Sequence, residues 1–201
     1  MKTLKFGVLA EDRTDCDAID VLVRRIASID EKKFRLGIAK YSGKGCARLR
    51  KAAGPKMKLM ADDGCTAAIV VHDLDRNPDN GELNDELALR AQLEGVRLPD
   101  GLSRLICIPV EELEAWFWSD PVVVKEVGRG RGKDHPSPHL IRSPKEALIR
   151  LSVEAKGKPR YSTNDNPSLA AKLNLDLCAQ RCRAFYELRN FVRETAEIAA
   201  R

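Results

Sequence analysis

Two periods of apolar positions alternate along the first part of the chain. Leu4 to Leu9, Phe34 to Tyr41, Ala67 to Asp73 and Arg104 to Ile108 are short apolar runs, several rich in β-branched residues, bounded by polar turns. Runs of this length and composition predict buried strands. Between them, Asp15 to Ile29 sets Ile19, Leu22, Val23 and Ile26 on one face at helical spacing. A second helical stretch carries Arg48, Arg50, Lys51, Lys56 and Lys58, with Gly54-Pro55 expected to break or kink it. A third runs from Asn84 to Leu93. This alternation predicts an α/β fold built on a doubly wound, mostly parallel sheet. In such sheets ligands bind beyond the carboxyl ends of the strands.

The pattern changes after Pro121. Gly128-Arg129-Gly130-Arg131-Gly132-Lys133 reads as a flexible basic loop. Ser143-Pro144-Lys145-Glu146 opens a helix with a serine cap and a first-turn proline. Two further helices, about 168–173 and 176–199, close the chain, the last with Phe185, Leu188, Phe191 and Val192 on one face. The expected organisation is an α/β core over residues 1–121 and a helical extension over 122–201, packed on the core within a single structural domain.

At 201 residues with 43% hydrophobic content, the chain can bury a substantial core. No apolar run approaches a membrane span and the N-terminus lacks a signal-peptide apolar region, so the expected compartment is the cytoplasm, with no membrane partner. The net charge of +5 is compatible with a nucleic-acid partner. Six cysteines without a disulfide-framework spacing read as reduced core residues.

Candidate chemistry gathers where strands run out. Glu11 follows the first strand, Asp73 and Asp75 the third, and Glu111, Glu112 and Glu114 the fourth. Parallel strands present these ends on one edge of the sheet, and carboxylates brought together there repel unless a cation neutralises them. Oxygen donors of this kind suit Mg²⁺ or Mn²⁺, with Glu11, Asp73 and Asp75 as metal ligands and Glu112 or Glu114 completing an acidic catalytic cluster. Glu11 can serve instead as a general acid or base, or as a plain cap. Glu111 reads as a surface residue. Side-chain alternation turns His72 away from Asp73. Lys44, within Ser42-Gly43-Lys44-Gly45, is a candidate phosphate contact, although that turn lacks P-loop spacing. Arg129 and Arg131 are candidate contacts to a nucleic-acid backbone. His135, His139, Cys178 and Cys182 form a zinc set only on paper, because the histidines lie among prolines and share no helical face. Trp116 and Trp118 read as core or partner-interface residues.

A glutamate after the first strand and Asp-x-Asp after the third is the Toprim arrangement of topoisomerases, primases and OLD-type nucleases. The chain resembles the Toprim-like family DUF4276. The resemblance is carried by Val8-Leu9-Ala10-Glu11-Asp12-Arg13-Thr14-Asp15, Gly43-Lys44-Gly45, Val71-His72-Asp73-Leu74-Asp75 and Glu112-Leu113-Glu114-Ala115-Trp116, and continues in Lys158-Pro159-Arg160-Tyr161-Ser162 and Arg181-Cys182-Arg183-Ala184-Phe185. It departs at Asp12, where the family usually has glycine. The resemblance implies a Toprim-like fold and a Mg²⁺-dependent nuclease or nuclease-like effector acting on DNA or RNA, in bacterial antiviral defence with an ATPase partner. The competing expectation is a non-catalytic Toprim-scaffold subunit of an ATPase or sensor protein.

Overall fold

The computed structural model describes residues 2–27, 34–154 and 157–200. Strands β1 (Lys2–Ala10), β2 (Phe34–Ser42), β3 (Ala67–Val71) and β4 (Ser103–Cys107) form an all-parallel sheet in the order β2-β1-β3-β4. Helices α1 (Arg13–Ala27), α2 (Cys46–Asp62) and α3 (Glu86–Glu94) lie between successive strands. The expected end of the first helix at Ile29 lies outside the described residues.

The two faces of the sheet carry separate cores. Leu4, Phe6, Val8 and Ala10 of β1 join Ile19, Leu22, Val23 and Ile26 of α1 on one face. Leu9 joins Leu49, Met57 and Met60 of α2, and Leu89 and Leu93 of α3, on the other. Every residue of β3 is buried, as expected for a strand covered on both sides. Gly7 sets the approach of α2. A Cβ there would stand 2.5 Å from Met60 Sδ.

Three departures from the sequence expectation have an identifiable physical setting. The second helix runs unbroken through Pro55. Proline removes one donor to the carbonyl four residues back, and both Pro55 and Lys51 are exposed, so the lost bond falls on the solvent side of the helix. β3 stops at Val71 rather than Asp73. The chain nevertheless stays beside the segment after β4, with His72 N–H donating to Cys107 O, Leu74 N–H to Pro109 O, and an isolated bridge between Leu74 and Val110. The last helix, expected as one, is α7 (Leu175–Arg181) and α8 (Arg183–Ala200), separated by Cys182 in an extended conformation. The break is pinned from both sides. Arg181 donates to Ser119 O at 2.7 Å and pairs with Asp134 at 2.6 Å, while the Cys107 thiol donates to Ala184 O.

A 3₁₀ helix (Leu113–Ser119) follows β4, then α4 (Pro121–Val127), α5 (Pro144–Ser152) and α6 (Asn166–Lys172). The sequence pattern did not reveal α4, which Asp120 caps through Val122 N–H. These helices build the α1 face of the sheet. Phe185, Leu188 and Val192 are buried in the α1 core, Phe185 meets Trp116 edge-on at 5.1 Å, and Arg25 of α1 donates to Ala170 O and Leu173 O at the end of α6. Among the described residues, no helix is long and apolar enough to cross a membrane.

Candidate functional site

The sheet order places β1 and β3 side by side, while the chain leaves β1 toward β2 on the opposite side. The crevice at such a reversal is where open α/β sheets bind ligands. Glu11 and Asp73 stand on either side of it. The Asp73 backbone N–H donates to Glu11 Oε1 at 3.3 Å. His72 is buried next to them, with Nδ1 2.8 Å from Asp73 O and 3.8 Å from Glu11 Oε1.

α1 delivers a further carboxylate. Asp12 Oδ1 accepts from Asp15 N–H at 3.0 Å and from the Thr14 hydroxyl at 2.7 Å. It therefore caps the helix. The capped first turn holds Asp15, which is 9% exposed, toward the other acids. Burial, then the charges of Asp12, Glu114 and Glu11, push its carboxyl up to about 7 against the pull of its backbone hydrogen bond. Asp73 is also pushed well up, by burial first and then by Asp15, Glu11, Glu114 and Glu112. Six carboxylates from three stretches of chain thus act on one another.

Glu112 and Glu114 follow β4 with different surroundings. Glu114 is 4% exposed and accepts from Asn166 Nδ2 at 3.0 Å and, weakly, from the Tyr161 hydroxyl at 3.5 Å. Burial raises its pKa and the Asn166 bond opposes the rise. Glu112 receives both the Lys145 ammonium at 2.7 Å and the Lys145 backbone N–H at 3.1 Å. Burial pulls the Lys145 ammonium toward deprotonation, but the bond to and charge of Glu112 outweigh it and keep it cationic. Glu111, expected at the surface, is instead buried with a left-handed backbone (φ 64°). It pairs with Arg76 and accepts from Ser143 N–H, so it fastens the segment after β3 to the start of α5.

The remaining candidates lie elsewhere. Asp75 is exposed beyond the edge, and its carbonyl accepts from Asn84 N–H. Lys44 is exposed with φ 59°, in a turn held to the first strand end by Gly43 N–H to Ala10 O and Gly45 N–H to Glu11 O. Arg129 pairs with Glu154 at 2.9 Å. Arg131 donates to Gly128 O, Leu151 O and Val153 O. The Gly-Arg loop thus spends these two guanidinium groups on its own neighbours. His135 Nδ1 accepts from Ser137 N–H, while His139 and Cys182 line a cavity of about 270 Å³ beside the end of β4.

Sequence reading missed Asp15 and Lys145. Asp15 lies four residues beyond Glu11 in the first turn of a helix, a position that also suits a dipole-compensating acid. Lys145 meets Glu112 across 33 residues, and nothing local in the sequence marks that contact.

The donor set fits a hard divalent cation in kind, since it consists of buried and half-buried, mutually repelling carboxylate oxygens. Among the described residues, however, no three His, Cys, Asp or Glu side chains already surround a common metal position. Side-chain rotation would have to complete the coordination.

No family model matches the chain, and no curated protein matches it. Among solved structures, it is similar to the C-terminal region of the Burkholderia pseudomallei OLD protein. The TM-score is 0.53 and the identity 15%, over 95% of this chain and 98% of that one. At this identity the likeness concerns the fold, which is Toprim-like α/β.

Proposed function

We propose that this chain is a metal-dependent phosphodiesterase that acts on nucleic acid. The observation that carries the reading is the convergence of Asp15, Asp73 and Glu114, all with raised pKa, with Glu11 and Glu112 at the sheet's topological reversal. A carboxylate cluster that raises its own proton affinity has two ways to relax, proton uptake or cation binding. Glu11, Asp15 and Asp73 would hold Mg²⁺ or Mn²⁺. Bound there, the ion would supply Lewis-acid polarisation of a phosphoryl oxygen and a more acidic water. Glu112 holds Lys145 at the edge, where its ammonium can bind a phosphate oxygen. Asn166 and Tyr161 hold Glu114 in one orientation.

The competing reading is a non-catalytic Toprim scaffold that docks an ATPase. It is favoured by the lack of a ready-made group of three metal ligands among the described residues. Mn²⁺ titration by calorimetry separates the two, followed by cleavage assays on single- and double-stranded DNA and RNA with Mg²⁺ or Mn²⁺. The expected result is saturable Mn²⁺ binding that Asp73→Asn removes, with cleavage falling by about 100-fold or more, the scale on which loss of charge stabilisation acts. No Mn²⁺ binding by wild type, with or without an oligonucleotide, would overturn the enzyme reading in favour of the scaffold.

A further inference from the structure

α2 is charged differently from the helices around it. Its 17 residues hold Arg48, Arg50, Lys51, Lys56 and Lys58, against one acidic residue, Asp62, at its last position. Elsewhere the protein neutralises many of its cations internally. Lys40 pairs with Asp17 and Asp20, Arg90 with Glu86 and Glu187, and Arg181 with Asp134. Among the described residues, none of the five basic side chains of α2 is in an ion pair with a carboxylate. Lys56 lies over the Tyr41 ring, 5.6 Å from its centroid.

The exposed cations also form a line. Arg48, Lys51 and Lys58, with exposed Pro55 between, fall at intervals of three, four and three residues along one face of the helix. At 1.5 Å per residue the line from Arg48 to Lys58 spans roughly 15 Å, enough to meet several phosphates of one strand. Its near end abuts the acidic edge. Gly45, the residue before α2, donates to Glu11 O at 3.1 Å, and exposed Lys44 precedes it.

We propose that the cationic face of α2, from Lys44 through Arg48 and Lys51 to Lys58, is the track that holds the phosphate backbone of a nucleic-acid strand leading to the acidic edge. This rests on the reading of that edge as a nucleic-acid site. Charge complementarity and continuity with the edge both favour this occupant. The Gly-Arg loop is the weaker candidate, because Arg129 and Arg131 are engaged within the protein. The track has no covalent chemistry of its own. It sets the strand's position and contributes the salt-dependent part of binding.

The test is fluorescence anisotropy of labelled single- and double-stranded DNA and RNA over a salt series, with Ca²⁺ present to screen the carboxylates. Wild type is compared with Arg48→Glu/Lys51→Glu/Lys58→Glu, the milder Arg48→Gln/Lys51→Gln/Lys58→Gln, and Arg129→Gln/Arg131→Gln. The milder variant keeps the test decisive should charge reversal impair folding. The α2 variants are expected to lose at least tenfold in affinity. The slope of log affinity against log salt should fall by about 0.7–0.9 for each contact removed. The loop variant should keep wild-type binding, and Mn²⁺ affinity should be unchanged in the α2 variants. Wild-type affinity and slope in the α2 variants would overturn the track, while leaving the enzyme reading intact if Asp73→Asn still abolishes cleavage. Failure of wild type to bind any of the nucleic acids would overturn both. Binding of anionic vesicles alone, lost in the α2 variants, would assign the face to a lipid surface and overturn the proposal.

Discussion

Asp15, Asp73 and Glu114 make the folded protein hold protons that the unfolded chain would release. The sign follows from linkage. A carboxyl with a raised folded pKa contributes stability that is complete below its ordinary value, near 4, and is lost as pH rises through the folded value, about 7 for Asp15. Without divalent ions, the protein should therefore melt higher at about pH 5 than at about pH 8. Asp73→Asn should flatten this dependence, because the amide removes one charge from the cluster and relieves its neighbours. Thermal melts in EDTA would measure both effects, and a wild type that melts higher at pH 8 would contradict the assignment. At this scale the sequence was partly legible. Glu11, Asp73, Glu112 and Glu114 announce themselves as acids at strand ends. Asp15 looks like an ordinary first-turn acid, and Glu111 looks solvated until the fold brings Arg76 and Ser143 N–H to it.

Elements were more legible than residues, because each strand and each long helix carries its own hydrophobic period. The misreadings occurred where tertiary contacts decide. Pro55 does not end α2, since its turn faces solvent and the apolar side of the helix, with Leu49, Met57 and Met60, stays buried. The break at Cys182 is set by what Arg181 and Ala184 meet on the far side of the fold. The join between the glycine turn and α2 is tight. A Cβ on Gly43 would come within 2.5 Å of Leu49 Cβ and 2.8 Å of its Cα, and backbone cannot rotate aside as a side-chain tip can. Gly43→Ala should accordingly force α2 away from the end of β1 and cost about 1–3 kcal/mol. Urea unfolding should report this as a lower midpoint with an unchanged slope. An unaltered midpoint would mean that α2 shifts freely against the sheet.

In the whole molecule, the acidic edge is assembled from positions spread between 11 and 114, and its packing partners extend to Asn166. The mutual repulsion of these carboxylates exists only where β1, β3 and the segment after β4 already lie side by side. A refolding chain that crosses its barrier before that edge closes does not feel the repulsion, whereas an unfolding molecule starts with it in full. Raising the pH in EDTA should therefore speed unfolding and leave refolding nearly unchanged. Stopped-flow denaturant jumps at about pH 5 and pH 8 would show it as a shift of the unfolding limb alone. An equal shift in the refolding limb would mean that the edge is already closed at the barrier. The same asymmetry would give a bound cation the character of a latch: it would lengthen the lifetime of the native state without hastening its arrival.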